Sequence, residues 1–275
     1  MNLIKKVSRF LNKKALICCI RIEAQLKTQF YTSLTEKAQK GIKQLAVLID
    51  PDSLHSEADL LNLIALCNKA SVDLILVGGS LITNGFWDKC IEVLKANTKI
   101  PVVLFPGNIM QTHKEADAIL FLSMISGRNP DLLIGKHVLA APLLKKSGIE
   151  VIPTGYMIVD GGNITSVMYM SNTTPLPSDK NNIASCTALA GEMLGLKVIY
   201  MDAGSGAQNP ISTSMIAEVK SQINGPLFIG GGIRTPEQAI ATCKAGADIV
   251  VVGNAIEKDP LLVEKLTQAI HSLNA

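Results

Sequence analysis

The sequence predicts a closed (β/α)8 barrel, an α/β fold of the TIM-barrel type, and three observations carry that prediction. Eight short apolar runs recur along the chain, most followed by helical periodicity, and strands alternating with helices imply parallel pairing with right-handed crossovers. The 275 residues suit one such barrel, which usually takes about 250. Hydrophobic residues make up 48% of the chain but aromatics only 4%. That excess is aliphatic, as strands buried on both faces require. An open doubly wound sheet is the alternative; it predicts fewer strands and no late pairing of "GGG" with "GN".

The runs are "LAVLI" 45–49, "LILV" 74–77, "VVLF" 102–105, "AILFL" 118–122, "EVIP" 150–153, "KVIYM" 197–201, "LFIG" 227–230 and "DIVVVG" 248–253. Helices follow in "SEADLLNLIALCNKA" 56–70 and "TPEQAIATCKAG" 235–246. The second opens with Thr235 as N-cap and Pro236 in the first turn, and closes on Gly246. Only "PGNIMQTHKEA" separates strands three and four, too little for a full crossover helix. The helix after strand three is therefore expected to be reduced or missing, which opens the wall. Between strands five and six lies a long insert, 154–196, expected to form a functional lid or wall.

Residues 1–30 read as an N-terminal extension and 31–275 as the barrel domain. The first 27 residues hold seven Lys or Arg against one Glu, a tail that suits a solvated helix or peripheral contact with an anionic membrane. No window reaches the roughly 18 apolar residues of a membrane span. The formal charge of +3 is too weak to point to nucleic acid. Six cysteines, 18, 19, 67, 90, 186 and 243, form no CxxC pair. Several fall within apolar runs, which suggests a reduced, cytoplasmic protein without a thiolate metal site.

Barrel active sites lie where strands end. After strand one stands "IDPDS" with Asp50 and Asp52; after strand two "VGGS" with Gly78, Gly79 and Ser80. "YMDAGSGA" follows strand six, "GGGIR" seven and "VGNA" eight. Three glycines in a row cost backbone entropy, which makes sense where a phosphate approaches bare N–H groups. One carboxylate and one hydroxyl, Asp50 and Ser80, suit Mg²⁺ held jointly with substrate phosphates; capping of the next segment is the other reading of Asp50. Asp202, after strand six, suits a general base or an acceptor for substrate hydroxyls. Arg128 is a diphosphate contact or a surface residue, and Tyr156 lines the pocket or packs. His55, His113, His137 and His271 share no triad or metal spacing; His55 and His113 read as solvated.

"LAVLIDPD", "LILVGGS", "YMDAGSGA", "FIGGGIRTPEQA" and "ADIVVVGNAIE" together resemble the geranylgeranylglyceryl phosphate synthase family, which includes bacterial heptaprenylglyceryl phosphate synthases. The likeness spans roughly residues 30–270. It implies a prenyltransferase that alkylates the 3-hydroxyl of sn-glycerol 1-phosphate with a prenyl diphosphate, geranylgeranyl or longer. It implies Mg²⁺ on Asp50 and Ser80. It implies a glycerol phosphate site made of Tyr200, Met201, Asp202, Ala203, Gly204, Ser205, Gly206, Gly231, Gly232, Gly253 and Asn254, with Asp202 catalytic. The family's acid at that position is commonly a glutamate; Asp202 is one methylene shorter. A homo-oligomer, dimer or hexamer, is also implied. Two other readings are a phosphosugar isomerase or synthase, which shares the late phosphate loops, and a non-catalytic barrel that senses phospholipid precursors. The residues give the first no matched acid/base pair, and Asp50, Ser80 and Asp202 count against the second.

Overall fold

The computed structural model describes residues 29–274. Eight parallel strands close into a barrel in sequence order: β1 Gln44–Ile49, β2 Leu74–Val77, β3 Val102–Leu104, β4 Ala118–Met124, β5 Glu150–Ile158, β6 Val198–Asp202, β7 Leu227–Gly230 and β8 Ile249–Val252. Closure comes from β1 against β8, with Gln44 opposite Ile249 and Val47 opposite Val252. All eight predicted runs are strands. The largest difference is β5, which runs on through Thr154, Gly155 and Tyr156 to Ile158. Those small and polar side chains hide the strand from a hydrophobicity reading.

Side chains alternate between two buried layers, as a period of two dictates. Leu45, Val47 and Ile49 join the layer between barrel and helices. Ala46, Leu74, Leu76, Val103, Leu120, Tyr200 and Phe228 fill the interior. The same alternation sorts the end of β6. Tyr200 points inward, Asp202 lines the central cavity, and Met201 and Ala203 face the helices.

The first described helix, α1 (Gln29–Gln39), covers the base of the barrel and sets Leu34 into the interior cluster. The Glu150 carboxylate at the start of β5 accepts from Phe30 N at 3.0 Å and Tyr31 N at 3.1 Å. A carboxylate at a helix N-terminus satisfies free N–H groups and complements the helix dipole. Phe30, assigned to the extension from sequence, thus packs as part of the barrel. The rest of that extension, and Cys18 and Cys19, lie outside the described residues. Cys67, Cys90 and Cys243 are buried and Cys186 is exposed.

Helices α2 (Glu57–Ala70) and α3 (Trp87–Asn97) follow β1 and β2. No helix follows β3: residues 105–117 cross to β4 as turns and extended chain. The buried side chain of Gln111 fastens this crossing, accepting from Gly107 N at 2.8 Å and donating to the Gly79 carbonyl at 3.0 Å. A π-turn, Asp131–Gly135, leads into α4 (Lys136–Ser147). The expected insert after β5 is shorter than the sequence suggests. Its second half, α6 (Asn181–Met193), is the ordinary crossover helix, so only 159–180 is extra. Within it, α5 (Ser166–Ser171) lies over the barrel mouth, and Leu176 N bonds back to the Ile158 carbonyl at 2.9 Å. The helices α7 (Thr213–Gln222), α8 (Pro236–Ala245), α9 (Asn254–Lys258) and α10 (Leu262–His271) complete the wall. The predicted cap of α8 is present as a full capping box, Thr235 with Gln238. No described helix is long and apolar enough to cross a membrane.

Candidate active site

A cavity of about 410 Å³ opens at the carboxyl ends of the strands. One end is polar: Asp50, Ser80, Asp202, Gly204–Gly206, Gly231–Arg234 and Gly253–Asn254 line it. The other is apolar, lined by Ile119, Phe121, Leu122, Met124, Ala140 and Leu144 from β4 and α4, with Val167 and Met170 from α5. The extra segment is therefore a wall, as expected. A second cavity, about 420 Å³, lies against the helix-free crossing and shares Thr112 and Leu144 with the first. His113 lines this second space with its side chain only 11% exposed, so it is not the solvated residue the sequence suggests.

The glycine-bearing side is built around left-handed backbone. Gly231 has φ +84° and Gly232 φ +72°. A Cβ at Gly231 would come within 2.7 Å of Gly204 N, and one at Gly232 within 2.7 Å of Pro210 N. The third glycine, Gly230, makes room for the Tyr200 ring, whose hydroxyl a Cβ would approach to 2.9 Å. The three glycines are thus forced first by neighbouring protein. What the turn then leaves free is its N–H groups. Among the described residues, Gly231, Gly232, Ile233, Ser205 and Gly253 donate no backbone hydrogen bond. All but one of the five are buried or half-buried, and unpaired donors at such a site are rare without a ligand to receive them.

Arg234, quoted in the motif but given no role from sequence, clamps this arrangement. Its guanidinium donates to the carbonyls of Ala207, Gln208 and Gly232, tying the loop after β6 to the loop after β7. Asn254 does the same from β8: its Oδ1 accepts from Ser205 Oγ at 2.5 Å and Gly206 N at 2.8 Å. Of the expected glycerol phosphate residues, Met201 and Ala203 do not line the cavity, and Ala203 N is already spent on the Gly230 carbonyl. The period of two along β6 is the signal for where their side chains point.

Asp202, at the polar end, is buried. Its Oδ2 accepts from the Tyr156 hydroxyl at 2.6 Å and its Oδ1 from Gly204 N at 2.7 Å. Burial pushes its carboxyl above the usual range, against the lowering effect of those two bonds. Tyr156 therefore both lines the pocket and orients the acid. Burial, with Asp202 beside it, keeps the Tyr156 phenol protonated far above neutrality. Tyr200 stacks between Phe105, at 4.9 Å, and Phe228, at 5.7 Å.

On the opposite side, Asp50 follows β1. Its Oδ1 accepts from Asp52 N at 3.0 Å, capping the turn Pro51–Ser53, so the capping reading holds as geometry. The carboxylate nonetheless reaches the cavity, and its other oxygen lies over Gly79, where a Cβ would come within 2.6 Å of Oδ2. Burial raises its pKa to about 6; the bond from Asp52 lowers it, while Glu257 and Asp52 raise it further. Glu257, on α9, also lines the cavity, and nothing in its local sequence marks it. Ser80 lines the cavity, and its hydroxyl bonds to nothing among the described residues. No group of three or more His, Cys, Asp or Glu side chains able to hold a metal occurs among those residues. The donor set nonetheless fits Mg²⁺. That ion keeps its waters and needs few carboxylates, and a half-buried acid crowded by a second one gains from a cation. Asp52 itself lies outside the cavity; although burial opposes it, bonds from Thr83 and Asn84 hold its carboxyl below the usual range. Arg128 bonds the Gly127 carbonyl at 2.7 Å and does not line the cavity. His55 is exposed.

Comparison with known proteins agrees with this geometry. A family model described as the PcrB family matches residues 39–273. The chain is similar to a geranylgeranylglyceryl phosphate synthase of Chitinophaga pinensis, 56% identical over 90% of this chain and 98% of that one. A second, of Spirosoma linguale, is 51% identical over 88% and 97%. Among solved structures it resembles (S)-3-O-geranylgeranylglyceryl phosphate synthase from Thermoplasma acidophilum in complex with the substrate sn-glycerol-1-phosphate. The TM-score is 0.83 at 30% identity, over 88% of this chain and 98% of that one.

Proposed function

The chain belongs to the PcrB family, and from that premise we propose that it joins geranylgeranyl diphosphate to the 3-hydroxyl of sn-glycerol 1-phosphate. The product is geranylgeranylglyceryl phosphate, an ether-lipid precursor, and diphosphate leaves. One observation carries the reading: a single cavity joins a rim of free backbone N–H groups to an apolar arm beside a wall that lacks its helix. A phosphosugar enzyme would use the first and have no need of the second. The name of the first relative and the ligand of the solved structure support the same donor and acceptor.

The acceptor's phosphate sits on the N–H groups of Gly231, Gly232, Ile233 and Gly253, whose positive edge needs no side-chain charge. That anchorage holds its 3-hydroxyl near Asp202, and holding two reactants in register supplies much of the rate. The hydroxyl oxygen bonds to the allylic carbon as the carbon–oxygen bond to diphosphate breaks; the electron pair leaves with diphosphate and the hydroxyl proton passes to Asp202. A carboxylate whose pKa is raised by burial is the better base for that step. Tyr156 and Gly204 fix its direction. Asp50 and Ser80 would hold Mg²⁺, which when bound neutralises charge on the leaving diphosphate. Phe105, Phe121, Leu122 and Leu144 exclude water from the prenyl chain.

The protein also works as a homo-oligomer. Val138, Leu139 and Leu143 on α4, with Ile134 just before it, are each more than half exposed, and contiguous exposed apolar side chains mark contact surfaces. The test of the function is turnover of labelled sn-glycerol 1-phosphate against prenyl diphosphates of 10 to about 35 carbons, with and without Mg²⁺, a range that brackets what an apolar pocket can discriminate by length. Magnesium-dependent ether product peaking at geranylgeranyl is expected. A peak at heptaprenyl diphosphate would move the protein to the longer-chain branch, and no ether product from any donor would overturn the reading.

A further inference from the structure

The loop between β2 and α3, residues 78–86, has no regular structure, yet it carries Gly79 and Ser80 into the cavity opposite Asp50. Something must hold it, because ordering a loop costs backbone entropy. The holding group is Asp52. Its Oδ2 accepts from Thr83 N at 2.7 Å and Thr83 Oγ1 at 2.8 Å, and its Oδ1 from Asn84 N at 3.2 Å. Asn84 returns a bond from Nδ2 to the Pro51 carbonyl at 2.7 Å. The backbone of the same residue points the other way, with Asp52 N donating to Asp50 Oδ1 at 3.0 Å.

We propose that Asp52 is a positioning residue for the cation and diphosphate end of the site, fixing the Ser80 loop against the Asp50 carboxylate. The inference rests on the metal role given above to Asp50 and Ser80. Asp52 does not line the cavity, so it acts through its neighbours. The tolerance is small: the Asp50 carboxylate already lies within 2.6 Å of where a Cβ on Gly79 would stand. A loop released from Asp52 loses that fit. The glycerol phosphate end is held separately by Arg234 and Asn254.

The test is calorimetric titration of Mg²⁺ with inorganic pyrophosphate, and separately of sn-glycerol 1-phosphate, on the full chain and its variants. Asp52→Ala is expected to weaken pyrophosphate–Mg²⁺ binding about tenfold, the scale seen when a group that orients a metal ligand is removed, with glycerol phosphate affinity unchanged. Thr83→Val should show part of the same loss and Thr83→Ser none. The threonine pair decides the matter if Asp52→Ala does not fold. Equal losses for both ligands, or Thr83→Val and Thr83→Ser behaving alike, would overturn the proposal. Asp50→Asn separates the two levels. If it binds pyrophosphate–Mg²⁺ normally, the metal reading itself fails. If it does not while Asp52→Ala does, only the positioning role fails.

Discussion

On the function proposed above, the two rims of the cavity hold anionic groups with opposite materials, one directly and the other through a cation. After β6, β7 and β8 the chain offers backbone: left-handed glycines, free N–H groups and a neutral asparagine. After β1 and β2 it offers side chains, an acid that caps its own turn and a hydroxyl on an anchored loop. Backbone donors cannot be lost to a side-chain substitution, but their geometry tolerates no added atom. Side-chain groups tolerate crowding better and fail outright when their chemistry changes. The first rim should therefore break by steric changes, the second by isosteric ones.

Asp202 tests that division most severely, because it is a side chain set into the backbone-made rim. Asp202→Asn keeps the shape and removes the proposed base. Turnover should fall by roughly 10²–10⁴-fold, the usual worth of general acid–base catalysis, with glycerol phosphate affinity nearly intact. Single-turnover kinetics and a binding titration give both numbers. A loss confined to affinity would make Asp202 an anchor and blur the two rims.

Gly232→Ala adds one methyl where φ is +72° and Pro210 N lies 2.7 Å away. Backbone strain of this kind costs on the order of 1–3 kcal/mol, so a lower melting temperature is expected alongside weaker glycerol phosphate binding. Pyrophosphate–Mg²⁺ binding should hold. If that binding falls equally, the two rims are not independent.

The smallest effect is pH dependence. Asp50 must be ionised to hold a cation, and burial puts its pKa at about 6. Mg²⁺ affinity should therefore be full above that value and fall about tenfold per pH unit below it, since metal and proton compete for the same oxygens. The sign for folding is opposite: a carboxyl whose folded pKa is raised makes the cation-free protein less stable as pH climbs from about 4 through 6. Calorimetry across pH 4.5–7.5 would check the first, thermal melts the second. Flat Mg²⁺ affinity would mean that Asp50 is not the ligand.

The backbone-made rim was largely legible from sequence, since glycine runs announce special backbone, and strand ends announce where to look. Its internal fastening was not. Arg234 binds carbonyls 26 and 27 residues away, and Tyr156 meets Asp202 across 46; such pairings leave no trace in local spacing. Strand alternation turns the Met201 and Ala203 side chains toward the helices, a placement that the quoted motif does not reveal. On the other rim, Asp50 was visible as an acid after an apolar strand, while Glu257 reaches it only through barrel closure. The extent of β5 escaped because Thr154, on the interior face, and Gly155, set against Ile125 and Ile199 on the helix side, add nothing to a hydrophobicity count.

The base of the barrel bears on how the molecule can be handled. Helix α1 meets Glu150 and the Lys197 carbonyl, both at strand starts. At the other end of the chain Asn274 exchanges two bonds with Lys43, just before β1. The first and last described residues therefore both lie at the floor, at the far end of the barrel from the mouth, and exposed positions there tolerate attachment. A bead, a reporter or a surface tether joined there would grip the protein like a stem, leaving the opening turned outward to whatever carries its substrates.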